Sequence, residues 1–153
     1  MRSFIALLLF LVLVFAAAAT GAAFPPGDWY AGLVKPAWNP PAWLFAPVWT
    51  TLYVLMAVAA WLVWRSGTET GVRAALVAWG VQLVLNAAWS WLFFGLHRPG
   101  VAFVELAALW LAILVTVVLA WKVKPMAGAL LLPYLAWVSF AGVLNLTLWR
   151  LNP

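Results

Sequence analysis

The sequence predicts an all-α membrane protein, a bundle of five transmembrane helices. Of its 153 residues, 69% are hydrophobic and only 7% are charged, whereas about a quarter of the residues in a soluble domain are charged. Five apolar stretches reach the ~20 residues with which a helix crosses a bilayer: residues 4–23, 43–64, 74–96, 101–121 and 127–149. A water-soluble monomer is therefore excluded.

Short polar segments separate these stretches and combine turn-forming residues with cations. They are residues 24–27, 65–67, 97–100 and 122–125, and each is typical of a turn at the membrane edge. The longest connector, residues 24–42, is too short to hold a second domain. We therefore expect residues 1–153 to form one domain.

The first stretch has two interpretations. Arg2, an apolar run and the small residues 16–19 are typical of a secretory signal peptide, but the apolar run continues to Phe24, which favours a retained helix. Counting Lys and Arg on each side of the five stretches gives five with the N-terminus and three opposite. That difference favours a cytoplasmic N-terminus, and the sequence leaves the identity of the membrane open.

Several kinds of chemistry are missing from the sequence. There is no Cys, so disulfides and thiolate chemistry are excluded. His97 has no second ligand at metal-binding spacing, and no motif for hydrolysis or phosphoryl transfer is present. The net charge of +5 comes from scattered cations, which does not indicate a nucleic-acid partner. We expect neither a conventional enzyme, nor a bound metal, nor a required cofactor.

Tryptophan is the compositional outlier, with 13 residues. Some lie at the ends of the stretches, where indoles favour the membrane interface, and others cluster in and after the connector. Pro36, Pro40 and Pro41 restrict the backbone there and predict a stiff arch from Lys35 to Trp43. We interpret the arch as a lid over a cavity between helices; an interfacial loop resting on lipid headgroups is the alternative.

Two helix faces carry polar groups within the membrane. Gln82, Asn86 and Ser90 recur every four residues in the third stretch, and Asn145 lies on a face of the fifth. An unpaired amide in hydrocarbon is costly, so both faces should point into the bundle. They line a ligand pocket, form interhelical hydrogen bonds between Asn86 and Asn145 or to backbone carbonyls, or do both.

Glu105 is the only acid inside a predicted span. Such residues usually have a function, but Glu105 lies only about one turn into its helix. We expect it to reach water, or to pair with Arg98 or Lys35, in a structural or tuning role.

The sequence resembles the TspO/MBR family of tryptophan-rich sensory proteins, which includes the translocator proteins also called peripheral-type benzodiazepine receptors. The resemblance covers most of the chain and rests on separated motifs in the right order. They are Trp29-Tyr30, KPAWNPP at 35–41, VWTTLY at 48–53, QLVLNAAWSWLFF at 82–94, PYLAW at 133–137 and WRLN at 149–152. Glu105 also resembles an acidic position early in the family's fourth helix.

The resemblance implies a homodimer whose bundle holds porphyrins, isoquinoline carboxamides and similar flat apolar molecules under the connector. Trp49 and Asn86 resemble residues that hydrogen-bond a ligand carbonyl, and Trp137 one implicated in light-dependent porphyrin breakdown. With Ser90 from the polar face, the candidate ligand-binding residues are Tyr30, Trp38, Trp49, Asn86, Ser90, Trp137 and Ala141, and Trp49 and Trp137 are the candidates for photochemistry.

Three functions are compatible with these features. We favour a receptor or sensor that binds tetrapyrroles; a carrier for porphyrins or other apolar molecules is the alternative, and a purely structural partner is the third. Five helices do not divide into the two inverted repeats of many carriers. Leu146 stands where the sterol motif of animal members has a Tyr, which lowers the expectation of sterol binding there.

Overall fold

The structure is a computed structural model that describes residues 1–153, and it is helical throughout, without strands. Six α-helices follow one another along the chain, and a π-helical segment extends the fourth. They are α1 (Arg2–Ala23), α2 (Asp28–Gly32), α3 (Ala42–Arg65), α4 (Val72–Ser90) with the π-helical segment Trp91–Gly95, α5 (Pro99–Val123) and α6 (Pro125–Leu151).

Five of these helices are long and apolar enough to cross a membrane, which confirms the predicted architecture. The shortest, α1, has 22 residues, about 33 Å at a helical rise of ~1.5 Å per residue. α1 belongs to the bundle: the indole of Trp61 donates a hydrogen bond of 2.8 Å to the carbonyl of Ser3, and Thr20 donates one of 3.0 Å to that of Ala87. The first stretch is therefore a helix of the bundle.

α5 and α6 form a close antiparallel hairpin joined by Lys124 alone. Proline stands at the first position of both helices, where its missing N–H and fixed φ suit a helix start. A Cβ at Gly128 would lie 2.7 Å from the ring of Trp121, so only glycine permits this approach. At the other end of the hairpin, a Cβ at Gly100 would lie 2.7 Å from the ring of Trp149. The two helices are thus held close together at both ends.

The buried residues form two clusters. The main cluster of 22 residues fills the middle of the bundle, between α1 and α3 to α6. The smaller one, below the connector, consists of Phe93, Ala102, Leu144 and Leu148. Large apolar side chains such as Phe4, Leu9 and Val12 of α1 are exposed. An exposed apolar surface of this kind suits contact with lipid.

The connector contains a short helix before the predicted arch of Lys35 to Trp43. A single helical turn, α2, occupies Asp28–Gly32 before the backbone becomes extended at Leu33. The backbone N–H of Asn39 then donates a hydrogen bond of 2.9 Å to the Pro36 carbonyl, which forms a turn. The extended backbone of Pro41 leads into α3. Trp43 therefore belongs to α3 and not to the connector.

Candidate functional site

Four aromatic side chains join the connector to α3 and α6. Trp38 of the connector packs edge-on against Phe140, with ring centroids 6.0 Å apart. Phe140 lies 5.4 Å from Trp137, and Trp137 lies 5.9 Å from Phe45 of α3. We call these four residues the aromatic row. Because its members come from three different elements, movement of the connector would take Trp38 away from Phe140 and expose the ring of Phe140.

A buried chain of hydrogen bonds links α3, α4 and α6 beside this row. The hydroxyl of Tyr53 donates to Oδ1 of Asn86 over 2.8 Å, and Nδ2 of Asn86 donates to the hydroxyl of Tyr134 over 2.9 Å. Trp49 packs against both tyrosine rings, at 5.6 Å and 6.3 Å. We call Tyr53, Asn86 and Tyr134 the polar chain. It satisfies part of the Asn86 amide and leaves one N–H for a further partner.

The aromatic row and the polar chain are neighbours because they share two helix faces. Phe45 and Trp49 are four residues apart on α3, and Tyr134 and Trp137 are three apart on α6, so each pair lies on one face. Ala141, one turn beyond Trp137, packs against the main buried cluster. Four predicted ligand residues, Trp49, Asn86, Trp137 and Ala141, are thus brought together.

The indoles of this region differ from others in the bundle. The N–H of Trp79 donates to the carbonyl of Met56, and that of Trp89 donates to Oδ1 of Asn145. The N–H groups of Trp38, Trp49 and Trp137 have no partner in the chain. Trp49 and Trp137 are partly buried, and a partly buried indole usually satisfies its N–H, so these two are available as donors to a ligand. Trp38 is 48% exposed.

Tyr30 holds the connector against the end of α4. Its ring packs edge-on against Phe93 and Phe94, and Nζ of Lys35 lies 4.7 Å above it. Its hydroxyl donates a long hydrogen bond of 3.4 Å to Oδ1 of Asn39. Burial raises the pKa of Tyr30, against a smaller opposing effect of that hydrogen bond. The phenol therefore stays protonated at neutral pH.

A polar clamp that the sequence analysis missed fastens the connector to the end of α6. The backbone N–H of Val34 donates to Oδ1 of Asn152 over 2.9 Å, and Nδ2 of Asn152 donates to the Val34 carbonyl over 3.0 Å. Nδ2 also bonds the carbonyl of Leu148 in the last turn of α6. The only sequence signal for this clamp is an Asn just after a helix.

Two predicted partnerships of polar residues are wrong. Asn86 and Asn145 do not bond to each other, because Asn145 accepts from Trp89 and donates over 2.8 Å to the carbonyl of Pro99. Glu105 pairs with neither Arg98 nor Lys35: both its carboxyl oxygens are buried without a hydrogen-bond partner. Lys35 instead donates to the carbonyls of Ala31 and Leu33.

The rotation of α5 about its axis explains why Glu105 does not pair with Arg98 or Lys35. Glu105 is three residues after Ala102 and four before Leu109, and both of those side chains are buried. The carboxyl group therefore points into the bundle and not toward the cations at the membrane edge.

Comparison with known proteins identifies the family. The sequence profile described as the TspO/MBR family matches residues 4–150. The chain belongs to the TspO/MBR family. Protein CrtK of Rhodobacter capsulatus is 46% identical over 138 residues, which cover 90% of this chain and 86% of the relative. Tryptophan-rich protein TspO of Chlorobaculum tepidum is 45% identical, with 84% and 82% covered. The translocator protein of Homo sapiens is 44% identical, with 86% and 81% covered.

Membership of the TspO/MBR family settles the coarse description of this chain. It is an integral membrane protein, and its relatives support the class of membrane sensors and receptors. The resemblance inferred from the motifs is thereby confirmed.

In this TspO/MBR protein Ser90 lies apart from the other candidate residues. Its Oγ is 3.4 Å from the position that a Cβ on Gly21 would take, so Ser90 faces α1. Pro40 and Pro41 join the turn of the connector to α3, and Nδ2 of Asn39 donates to the Pro40 carbonyl over 3.2 Å.

Trp38, Trp49 and Trp137 are packed against rings of the aromatic row and the polar chain. A surface cavity of about 510 Å³ lies at the start of α5, and another of about 610 Å³ lies beside the turn before α4. Neither cavity is lined by the aromatic row or the polar chain. Neither of these two cavities is therefore the predicted ligand site. Phe45, Tyr53, Tyr134 and Phe140 were not predicted as members of the site, because their roles depend on how the helices are rotated.

Proposed function

We propose that this protein is a membrane receptor or sensor that binds porphyrins and similar flat apolar molecules under the connector. The observation that carries the proposal is the aromatic row, which is closed by a connector held by the packing of Tyr30 on Phe94 and by the hydrogen bonds of Asn152 to Val34. Aromatic rings favour stacked or edge-on contact with other aromatic systems. A planar macrocycle suits a surface of this kind.

Polar groups beside the row would orient the ligand. The indole N–H of Trp49 and the remaining N–H of Asn86 are donors in an apolar setting, where a hydrogen bond to a carbonyl is strengthened. An isoquinoline carboxamide offers one such carbonyl. Tyr30, Trp38 and Ala141 would supply apolar contacts around it.

Light-dependent degradation of a bound porphyrin is part of the proposal. One electron passes from the indole of Trp137 or Trp49 to the excited macrocycle, giving an indole radical cation and a porphyrin radical anion. Dissolved dioxygen, the co-reactant, adds to the radical anion, and the adduct returns one electron to the indole radical cation, which restores the tryptophan. The two oxygen atoms then lie across a meso C=C bond of the macrocycle, and cleavage of that C–C bond and of the O–O bond gives two carbonyl groups. Trp137 is the first candidate because it lies within the aromatic row.

Titration with protoporphyrin IX in nanodiscs tests this function. Quenching of tryptophan fluorescence in the dark measures binding, and porphyrin absorbance under illumination measures degradation. Trp49→Phe keeps an aromatic ring but removes the N–H, so affinity should fall about two- to tenfold, the value of one neutral hydrogen bond. Trp137→Phe should slow photodegradation, because phenylalanine is much harder to oxidise than tryptophan.

Trp64→Phe is the matched control, since Trp64 is exposed near the opposite end of α3. It should change neither measurement. If binding does not saturate, or if Trp64→Phe has the same effect as Trp49→Phe, the proposed site is wrong.

A carrier of porphyrins is the alternative, and some relatives are named translocator protein. The sensor is favoured because all five spans run as continuous helices, without the interrupted helices that form the central site of many secondary transporters. Porphyrin loaded into proteoliposomes separates the two functions. Protein-dependent release in the dark supports the carrier, and retention with saturable binding supports the receptor.

We also propose that the protein forms a homodimer, as the family resemblance implies. Native mass spectrometry from mild detergent measures this directly, and a mass of one chain at all concentrations would refute it.

A further inference from the structure

We propose that the cavity at the start of α5 binds the headgroup of an anionic phospholipid. This cavity, of about 510 Å³, lies where the connector, the first turn of α5 and the end of α6 meet. Its lining includes Trp29, Arg98 and Trp149 but none of the residues proposed to bind porphyrin. It is therefore a separate site, and it does not depend on the function proposed above.

Specific contacts between three elements build the walls of the cavity. The ring of Trp29 stacks on His97 with centroids 4.4 Å apart and an angle of 13°. A Cβ at Gly100 would lie 2.7 Å from the ring of Trp149, so the glycine lets this indole lie across the first turn of α5. Asn152, also in the lining, is held by both of its hydrogen bonds to Val34.

The lining of the cavity includes a basic side chain and no acidic side chain. Arg98 lines it, and Arg150 follows Trp149 at the exposed end of α6. The chain has three acids: Glu69 precedes α4 at the other membrane edge, and the carboxyl oxygens of Glu105 are buried. Asp28 is exposed at the start of α2 and is not part of the lining. The guanidinium of Arg98, with no acidic side chain in the lining, suits a phosphate, to which it can donate two parallel hydrogen bonds.

The surroundings of the cavity favour a lipid over a soluble anion. Val101 lines the cavity and is 47% exposed, and Val104, one turn further into the membrane, is 67% exposed. Acyl chains attached to a headgroup in the cavity would lie against this apolar flank. Trp149, 42% exposed, lies at the level where indoles prefer the headgroup region.

Native mass spectrometry tests the proposal with full-length protein equilibrated in an equal mixture of phosphatidylglycerol and phosphatidylcholine. The wild type should retain one phosphatidylglycerol in preference to phosphatidylcholine. Arg98→Gln should lower that preference about tenfold, the contribution of a charge-assisted hydrogen bond. Arg73→Gln is the matched control: Arg73 is exposed in the first turn of α4, at the other membrane edge, and its loss should have no effect.

Gly100→Ala tests the shape of the site while keeping its charge. The added methyl group displaces Trp149 and should lower retention, whereas circular dichroism should show an unchanged helix content. Equal retention of both lipids by the wild type, or equal losses in Arg98→Gln and Arg73→Gln, would overturn the proposal. Displacement of the lipid by inorganic phosphate or by protoporphyrin IX would also overturn it, because the site would then serve a free anion or the porphyrin carboxylates.

Discussion

Replacing Asn152 by alanine should release the connector from the end of α6. The change removes two hydrogen bonds between its side-chain amide and the backbone of Val34, of 2.9 Å and 3.0 Å. Each hydrogen bond contributes about 0.5–1.5 kcal/mol net, so together they stabilise the closed connector by about 1–3 kcal/mol. Because both are exposed to solvent, the lower end of that range applies. About 1 kcal/mol corresponds to a roughly fivefold change in the opening equilibrium.

Hydrogen–deuterium exchange of a peptide covering residues 24–41 measures this opening. Exchange in Asn152→Ala should be about fivefold faster than in the wild type, with no change in peptides from α5, since local opening governs amide exchange in such segments. Asn152→Asp is the matched variant, because it can still accept from the Val34 N–H but cannot donate to its carbonyl. Its rate should lie between the other two. An unchanged exchange rate in Asn152→Ala would show that the clamp does not hold the connector.

Three further predictions concern packing, the polar chain and pH. Gly128→Ala should lower the melting temperature, because overpacking costs about 1–3 kcal/mol. Gly80→Ala is the control and should not lower it, since a Cβ at Gly80 would meet open space. Equal shifts of the melting temperature in both variants would contradict the close packing of α5 on α6. Asn86→Ala removes two buried interhelical hydrogen bonds, each of which contributes ~0.6–1.7 kcal/mol, so it should lower the free energy of unfolding by about 1–3 kcal/mol. Tyr53→Phe removes one of the two bonds and should lower it by about half as much. A denaturing-detergent titration measures both changes. The raised pKa of Tyr30 means that its contribution to connector stability is complete below pH ~10 and is lost as pH rises through the folded-state pKa. The measurement is the opening equilibrium of residues 24–41, obtained from amide exchange rates divided by the base-catalysed rates of the unfolded peptide at each pH. An increase of that equilibrium before phenolate absorbance appears would refute this.

Local patterns in the sequence singled out Trp49, Asn86 and Trp137 as unusual aromatic or polar residues, and the family resemblance indicated their roles as ligand residues. In the structure Trp49 and Asn86 both contact Tyr53, and Trp137 lies on the same face of α6 as Tyr134. Ser90 shares the spacing of Asn86 but faces α1. Residues four apart on a helix are offset by about 40° around its axis, which is enough to turn a side chain toward a different neighbour.

The sequence by itself determined the five spans, the connector and the polar positions within the membrane. Hydrophobicity, turn-forming residues and helical period are properties of neighbouring residues, so they are visible without a fold. Only the tertiary structure decided which groups are partners: Asn86 with Tyr53 and Tyr134, Asn152 with Val34, and Glu105 with none. Such pairings depend on the rotation and register of each helix against the others. Contacts summed over the whole bundle set that rotation and register, and no single segment encodes them.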